Sequence, residues 1–416
     1  MKKLSMTPVS EAIQKVVQAF TNQIQTEVIP ITRGFGRVIH SDIGVNHDIP
    51  PYRKSTVDGY AVQIKDLVGA SQNTPVTLLL KGTVEMGKWF EGELNSGEAI
   101  YVPTGGMIPE GANGVVMIED CNRLEGHVLV SKSVQLNENM ILKGGDFKSG
   151  TIGLERGERL GASQVSVLAA LGYDSVEVLR RPTVAILSTG DELVQPGNAI
   201  QEGQIYDSNS YGLSALCASY GLDVVSTSIV KDDKEAFKKS IETLHQEADL
   251  ILLSGGSSVG EHDYTLEMVK QLPESEVLVH GLAFKPGKPT VLAKAQDKLV
   301  IGLPGHPVSA LMVMDTVGRA LLNQIWRMDI PVRPTAQGIL TDSIRAAHGR
   351  DSCQMVEVHQ DGSSLKVVPI KGKSGMISWM AKASGYVVIK HEVGHFEQDT
   401  VVKVHLWEPL KSDDWL

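Results

Sequence analysis

The chain has 416 residues, of which 42% are hydrophobic and 21% are charged, and this length predicts about two to four domains. The formal net charge is −10 with acids and bases interspersed, which argues against a surface that binds nucleic acid. No apolar run reaches the roughly 20 residues that a helix needs to span a bilayer, so we expect no membrane segment. Cys121, Cys217 and Cys353 fall in no metal-binding or redox spacing, which indicates reduced thiols in a cytoplasmic protein.

The first part of the chain carries helical patterns on either side of a β-rich stretch. A helix is predicted in SEAIQKVVQAF, with Thr7 as its cap and Val16 on its apolar face. The two lysines ahead of it precede no apolar stretch, which argues against a signal peptide. A second helical pattern, ASQVSVLAALG, follows β-branched runs such as TPVTLLL, EAIYVP and NGVVMIE. We therefore predict a split α/β lobe, residues 1–50 and 142–180, interrupted by a β-rich domain over residues 51–141.

From Pro182 the pattern changes to nearly continuous apolar strands that alternate with amphipathic helices. The strands TVAILST, DVVSTSIV, DLILLSGG and KLVIGLPG are typical of a parallel α/β sheet that is covered on both faces. This core domain is predicted over residues 181–328. Further on, alternating runs flank Asp361-Gly362, which is a hairpin signal. Residues 329–416 are therefore predicted to form a small β-barrel.

Two glycine-bearing loops follow predicted strands of the α/β core. In parallel sheets, ligands bind beyond the carboxyl ends of the strands, where backbone N–H groups are exposed. The glycines favour an anionic ligand, although tight packing explains them as well. The acids favour a hard cation such as Mg²⁺, although capping of a following helix is the alternative for each. The loop residues are Ser188, Thr189, Gly190, Asp191 and Glu192 in one loop, and Ser254, Gly255, Gly256 and Ser257 in the other.

Two further loops carry basic side chains next to prolines. In KPGKP, stiff neighbours hold Lys285 and Lys288 in place, which suits a phosphate or another oxyanion, while a solvated surface loop is the alternative. In PGHP, Pro304 and Pro307 flank His306 immediately before a predicted helix. His306 is either a ligand contact or a helix cap.

Two turns of the β-rich domain carry polar side chains. Asp58 precedes a glycine in RKSTVDGYAV, and a plain Asp-Gly turn is the simpler interpretation. Thr104 lies in PTGG, where turn chemistry alone is likewise sufficient. Residue types by themselves therefore assign neither turn a function.

Seven stretches occur together in the order and spacing of one family. They are RKSTVDGYAV, PTGGMIPEGANGVVMIED, LSTGDELV, GQIYDSNSY, SGGSSVGEHDYT, KPGKP and GLPGHPVSAL. The chain thus resembles the molybdopterin molybdotransferase family, the MoeA and gephyrin E-domain type of enzyme in molybdenum cofactor synthesis. The resemblance covers essentially the whole chain, and no single stretch decides it.

The resemblance implies a transferase that inserts molybdate into adenylylated molybdopterin, with Mg²⁺ present and AMP released. It also implies a homodimer of four-domain subunits, each with a Mog-like α/β domain that binds molybdopterin. The cleft then lies between this domain of one subunit and the β-rich domain of the other. Molybdopterin adenylyltransferase and molybdoenzyme delivery proteins are the further partners expected, whereas nucleic acid and membranes are not.

The site residues of the family carry over onto matching positions of this chain. The resemblance implies catalytic roles for Asp58, Thr104, Asp191, Glu192 and Asp263. It implies a metal site formed by Asp191, Glu192 and Asp146. It implies substrate contacts from Asp232, Lys285, Lys288, Pro304, Pro307, Arg350 and Ser374.

The departures from the family pattern keep every carboxylate and lysine. Thr56 and Val57 stand where alanine and methionine are common, and His306 stands where asparagine is common. Because histidine titrates near neutrality, the oxyanion affinity beside His306 is expected to depend on pH.

Three alternatives remain at this stage. A paralogue that inserts tungstate has the same pattern, since the two oxyanions are alike in size and charge. The sister adenylyltransferase shares the α/β domain but is usually a single domain. A receptor-clustering scaffold of the same fold is expected to carry an additional amino-terminal domain.

Overall fold

The computed structural model describes residues 6–21, 24–231, 233–255, 264–362 and 364–410. The chain divides into two compact units: the first 27 residues with Leu179–Leu416 form the larger one, and Val28–Val178 form the smaller one. Each unit contains its own buried apolar clusters. Among the described helices, none is both long and apolar enough to serve as a membrane span.

The first helix, α1 (Val9–Ala19), belongs to the larger unit. Its Ala12 and Val16 are fully buried and contribute to the main apolar core of that unit. We expected this helix to pack with residues 142–180, but an amphipathic pattern shows only that one face is buried and not which core it covers. The cap also differs from the prediction, because Pro8 occupies the cap position and Thr7 precedes it.

One mixed sheet dominates the smaller unit. The strands and helix along this part of the chain are β1 (Thr26–Pro30), β2 (Ile43–Gly44), β3 (Lys54–Ser55), β4 (Gly59–Val62), β5 (Val76–Thr83), β6 (Glu98–Val102), β7 (Gly114–Met117), β8 (Cys121–Leu124), β9 (His127–Val130), β10 (Met140–Ile141), β11 (Ile152–Leu154), α2 (Ala162–Ala170) and β12 (Ser175–Leu179). The sheet order is β7-β4-β6-β5-β9-β8, and β4 is buried along its whole length. Single 3₁₀ turns lie at Ile31–Arg33, Ile64–Leu67 and Ile118–Asp120.

Short strand pairs and helix α2 form the remainder of the smaller unit. Strand β11 pairs with β2, and β12 pairs with β1. Leu168 of α2 is fully buried in a cluster with Ile39 and Val178. The large sheet is therefore inserted between two chain segments that share one core.

A second sheet forms the centre of the larger unit. The elements here are β13 (Thr183–Thr189), β14 (Leu193–Val194), β15 (Ile205–Tyr206), α3 (Asn209–Ser219), β16 (Asp223–Val230), α4 (Lys234–Glu247), β17 (Leu250–Ser254), α5 (Tyr264–Val269), β18 (Ser275–His280), β19 (Phe284–Lys285), β20 (Val291–Ala295), β21 (Lys298–Leu303), α6 (Pro307–Val313), a π-helical turn (Met314–Gly318) and α7 (Arg319–Ile325). The four predicted strands are confirmed as β13, β16, β17 and β21, which are mutually parallel.

This sheet is mixed, whereas the sequence predicted a purely parallel sheet. Its order is β16-β13-β17-β21-β20-β18, and β20 runs antiparallel to both of its neighbours. The physical reason lies in Gln296 and Asp297, since a two-residue connection can join only antiparallel strands. Helices cover both faces: Val184 and Ile186 of β13 pack in the cluster that holds α1, α3, α6 and α7, whereas Ala185 packs in the cluster that holds α4 and α5.

A closed β-barrel ends the larger unit, which confirms the predicted fold of this region. Its elements are β22 (Thr335–Leu340), β23 (Ile344–Arg345), β24 (Asp351–Asp361), β25 (Ser364–Pro369), α8 (Ser378–Lys382), β26 (Gly385–Ile389), β27 (His395–Phe396) and β28 (Val401–Leu406). The sheet closes because the long strand β24 pairs with both β25 and β26. The hairpin at Asp361-Gly362 is confirmed, with Gly362 at φ 59° between β24 and β25.

Candidate active site

The loops with candidate site residues meet at one edge of the central sheet. The parallel strands β13, β17 and β21 have their carboxyl ends at this edge. Because β20 is antiparallel to β21 and begins beside its end, the loop before β20 lies at the same edge. This edge therefore collects residues 188–192, 254–255, 285–288 and 304–307.

Glycines allow the strand-end loops to approach each other closely. Gly255 has φ 103°, and a methyl group added to it would overlap the carbonyl oxygen of Thr189. A methyl group added to Gly305 would lie 3.7 Å from the Cα of Gly255. The loops after β13, β17 and β21 are therefore in contact, and a side chain at position 255 would force the first two apart.

The amino-terminal end of α3 joins two of these loops. The side chain of Asn209 donates hydrogen bonds from Nδ2 to Ser254 Oγ and to the Gly305 carbonyl oxygen, each at 2.8 Å. The buried carboxylate of Asp207 accepts from the backbone N–H of Asn209 at 3.0 Å and of Ser210 at 3.1 Å. Asp207 thus caps the helix that presents Asn209.

Sequence reasoning did not assign Asp207 or Asn209 a role. The available signal was the Asp-Ser-Asn-Ser run in GQIYDSNSY, which combines capping residues with an amide directly before a helical pattern.

The loop with Lys285 and Lys288 is held by its own backbone and by neighbouring segments. The Leu282 N–H donates to the Lys288 carbonyl oxygen at 2.9 Å, and the buried Thr290 hydroxyl donates to the Gly287 carbonyl oxygen at 2.7 Å. Thr7 pairs with the start of this loop through an isolated bridge to Leu282. Within the described ranges, neither lysine ammonium group forms an ion pair.

Two further candidate residues, Arg350 and Ser374, come from the barrel region. Arg350 lies near the lysine loop, and Ser374 contacts His306 in the loop after β21. Strand β19, which ends at Lys285, pairs with the start of β24, and Arg350 directly precedes that start. Ser374 Oγ lies 3.0 Å from Nδ1 of His306. His306 occupies the cap position of α6 but its side chain makes no capping hydrogen bond, so its ring bonds the barrel loop instead. Pro304 is buried, and Pro307 is the first residue of α6.

The acids after β13 are followed by a strand. Asp191 and Glu192 are exposed and precede β14, so capping of a following helix, the alternative considered from sequence, is wrong for both. The Glu192 carboxylate lies against Gly190, where an added methyl group would be 2.7 Å from its oxygens. Both carboxyl groups thus remain at the edge that carries the lysines.

The structure brings Asp58 and Thr104 together in the smaller unit. The Thr104 N–H donates to Asp58 Oδ1 at 2.8 Å, and both residues are exposed. Gly105 has φ 80° and donates its N–H to the Ser55 carbonyl oxygen, which holds the PTGG turn beside the Asp-Gly turn. The two turns form one exposed polar corner with a fixed carboxylate.

The residues predicted to form the metal site do not all lie in one compact unit. Asp146 is exposed in a turn of the smaller unit, whereas Asp191 and Glu192 belong to the larger unit. Asp232, Gly256, Ser257 and Asp263 lie outside the described residues.

The cysteines take no part in this site. Burial raises the pKa of Cys121 and of Cys217 to about 12, with nearby Asp120 adding to the effect at Cys121. Burial also raises the pKa of Cys353. All three are free thiols and stay protonated at neutral pH.

Comparisons with known proteins agree along the chain. Family models match residues 7–172 (MoeA N-terminal region, domain I and II), residues 185–324 ("Probable molybdopterin binding domain") and residues 337–407 (MoeA C-terminal region, domain IV). A molybdopterin biosynthesis protein of Methanocaldococcus jannaschii is 33% identical over 402 residues, which cover 94% of this chain and 95% of the relative.

Two more proteins extend the likeness to a named enzyme and to a solved structure. A molybdopterin molybdenumtransferase of Haemophilus influenzae is 31% identical over 414 residues, which cover 97% of this chain and 100% of the relative. The crystal structure of a molybdopterin biosynthesis MoeA protein from Pyrococcus horikosii matches with a TM-score of 0.81 and 34% identity, covering 98% of this chain and 100% of that one. Because identity above 30% extends over nearly the whole of both sequences, the chain belongs to the MoeA family of molybdopterin molybdenumtransferases.

Proposed function

We propose that the protein inserts molybdate into adenylylated molybdopterin and releases AMP. The observation that supports this most is the convergence of glycine-bearing strand-end loops, linked by Asn209, at the edge that also carries Lys285 and Lys288, whose ammonium groups form no ion pair with a described residue. Ammonium groups beside the carboxyl ends of parallel strands suit a substrate that combines a diphosphate with an oxyanion.

The lysine loop is the proposed binding site for the oxyanion. Its backbone hydrogen bonds fix the loop before ligand arrives, so little freedom is lost when an anion binds. Arg350 directly precedes β24, which pairs with β19 at the start of the lysine loop. Its planar guanidinium group would donate hydrogen bonds to oxyanion or phosphate oxygens. His306 and Ser374 would then orient the barrel side of the pocket.

Asp191 and Glu192 are the proposed holders of Mg²⁺, with Asp146 as a further candidate. Their donor chemistry fits, since Mg²⁺ prefers carboxylate oxygens and commonly uses one or two of them together with substrate phosphates and water. Both carboxylates are exposed at the sheet edge. When bound, Mg²⁺ would supply positive charge to the phosphoryl oxygens at the bond that releases AMP.

The decisive assay is molybdate-dependent release of AMP from adenylylated molybdopterin. Asp58→Asn and Asp191→Asn should each lower this rate by about a hundredfold or more without changing the melting temperature. Asp66→Asn is the matched control, because Asp66 also accepts a backbone N–H in a turn of the smaller unit, from Gly97 at 2.8 Å. Full activity in both site variants would refute the assignment.

Two further experiments distinguish the proposed function from the alternative functions. Consumption of ATP with free molybdopterin would identify an adenylyltransferase instead. Tungstate competition against molybdate, with AMP release as the readout, would show which oxyanion the site prefers.

A homodimer with shared sites is proposed as the working assembly. In this arrangement Asp58 of one copy serves the sheet edge of the other. Co-expression of Asp58→Asn with Asp191→Asn should then restore about a quarter of wild-type activity, because half of the dimers are mixed and each holds one intact site of two. A monomer in sedimentation experiments, or no recovery in the mixed dimer, would contradict this assembly.

A further inference from the structure

Three polar side-chain atoms at the candidate site are buried without a hydrogen-bond partner among the described residues: Ser188 Oγ, Thr189 Oγ1 and Asn209 Oδ1. Ser188 as a whole is only 1% exposed. A buried polar atom without a hydrogen bond destabilises the ligand-free protein, so such atoms at a binding edge indicate groups kept for a ligand.

The hydrogen-bonding role of Asn209 is fixed by its neighbours. Both hydrogens of its amide are already donated, one to Ser254 Oγ and one to the Gly305 carbonyl oxygen. A carbonyl oxygen can only accept, so the reversed amide orientation would set two acceptors against each other. Oδ1 is therefore the atom left over, and it can act only as an acceptor.

Ser188 lies on the same side of the sheet as Asn209. Ser188 of β13 is the direct neighbour of Ser254 in β17, whose hydroxyl accepts from Asn209. Side chains alternate along a strand, so Ser188 shares its face with Val184 and Ile186, which pack against α3. The subsite thus combines one fixed acceptor, Asn209 Oδ1, with the unpartnered hydroxyl of Ser188.

We infer that Asn209 is a specificity-determining residue that recognises a hydrogen-bond donor on the organic part of the substrate. This inference rests on the proposed function. Molybdate and diphosphate oxygens are acceptors at neutral pH and would be repelled by Asn209 Oδ1. The subsite therefore takes an N–H or O–H group, from the pterin or from the ribose, while the oxyanion binds at the lysine loop.

The test compares binding of the two substrate parts to the wild-type chain, Ser188→Ala and Asn209→Leu. Removal of the unpartnered Ser188 hydroxyl should leave the melting temperature unchanged or raise it, yet weaken adenylylated molybdopterin binding about threefold to tenfold. Asn209→Leu should weaken that binding about tenfold or more and leave molybdate affinity within twofold. Parallel titrations with molybdopterin alone and with AMP show whether the donor belongs to the pterin or to the ribose.

Asn323→Leu is the matched control for Asn209. Its side chain also links two segments, donating to the Ile330 carbonyl oxygen at 3.0 Å, but its Oδ1, unlike that of Asn209, accepts from a protein group, the Ile330 N–H at 2.8 Å. This variant should lose stability without losing affinity for either ligand.

Two outcomes would overturn the inference. Equal losses of molybdate and pterin affinity in Asn209→Leu would mean that Asn209 only ties the loops together. Unchanged affinity of Ser188→Ala for adenylylated molybdopterin would also overturn the inference, even if Asn209→Leu fails to fold. A wild-type chain that releases AMP with molybdate while both variants bind normally would refute this inference alone, whereas an inactive wild-type chain would refute the proposed function.

Discussion

Gly59 follows the candidate acid Asp58 and can be nothing but glycine in this fold. A methyl group at this position would overlap the carbonyl oxygen of Val116 in the neighbouring strand. We expect Gly59→Ala to lower the free energy of unfolding by at least about 2 kcal/mol, since the β4–β7 pairing must separate to admit the methyl group. Denaturant titration would measure this.

Gly44→Ala provides the control for this prediction. Gly44 also lies in a strand of the smaller unit, but no atom comes within 4 Å of an added methyl group. Its substitution should change stability by less than about 0.5 kcal/mol. Equal effects of the two substitutions would show that steric overlap at Gly59 is relieved at no cost.

Sequence reasoning at the residue scale found charged residues more readily than neutral ones. Lys285 and Lys288 stand out because a proline directly follows each of them, and the structure gives them no ion pair within the described part of the chain. Asn209 was missed because an amide before a helix is ordinarily a cap, and its contacts with Ser254 and Gly305 depend on tertiary structure. The roles assigned to individual site residues stay predictions.

The π-helical turn between α6 and α7 carries a buried carboxylate that joins several elements. Asp315 is fully buried and accepts hydrogen bonds from Tyr220 at 2.6 Å, Tyr386 at 3.0 Å and Arg333 at 2.9 Å. Burial, and then the neighbouring carboxylate, raise the pKa of both tyrosines, so they remain neutral donors. This cluster connects α3 and the π-helical turn to barrel strand β26.

Asp315→Ala should cost about 3–5 kcal/mol, because it leaves the half-buried Arg333 guanidinium without its counter-charge. Thr316→Ala is the control, since the hydroxyl of this neighbour in the same turn donates to the Met312 carbonyl oxygen within its own helix, and it should cost under about 1 kcal/mol. Chemical denaturation of both variants decides the matter. A cost for Asp315→Ala no larger than for Thr316→Ala would contradict a bridging role.

Acid stability of the central sheet is predicted to depend on Asp249, at the edge opposite the candidate site. Burial alone would raise the pKa of Asp249, but the Thr183 N–H at 2.9 Å and the Arg180 guanidinium at 3.0 Å outweigh burial and lower the pKa below its ordinary 3.8. A lowered carboxyl pKa contributes stability that is present above pH 3.8 and is lost as the pH falls through the folded value.

We therefore expect Asp249→Asn to lose less stability than the wild-type chain when the pH falls from 7 to below 3.8. Unfolding free energies across this range would measure the difference. Asp297→Asn should follow the wild-type profile, because Asp297 approaches the same Lys298 but is 60% exposed. Identical profiles for wild type and Asp249→Asn would exclude the contribution.

At the scale of elements, apolar runs were the reliable part of the sequence. The strands DVVSTSIV and KLVIGLPG were located because such apolar runs are nearly continuous. The direction of β20 was not predictable in the same way, since it depends on a two-residue connection that carries no glycine. Two-residue strands such as β14 and β15 are fixed by pairing alone and leave no periodic signal.

Across the whole molecule, the apolar clusters separate along the same boundary as the two compact units. The clusters around Val16 and Leu253 belong to the larger unit, whereas those around Leu168 and Tyr60 belong to the smaller one. Calorimetry should therefore resolve two unfolding transitions, and Gly59→Ala should shift only one of them. A single transition that moves as a whole would show that the units unfold cooperatively.

The helix α1 is separated along the chain from the core that it completes. Phe20 contacts Trp326 with ring centroids 6.5 Å apart, although all of Val28–Val178 is synthesised between them. During synthesis, the smaller unit can therefore fold before the residues that pack against α1 have been made. The apolar face of α1 is then accessible to chaperones until α7 has been synthesised. The first helix to be made is therefore one of the last elements to pack into the fold.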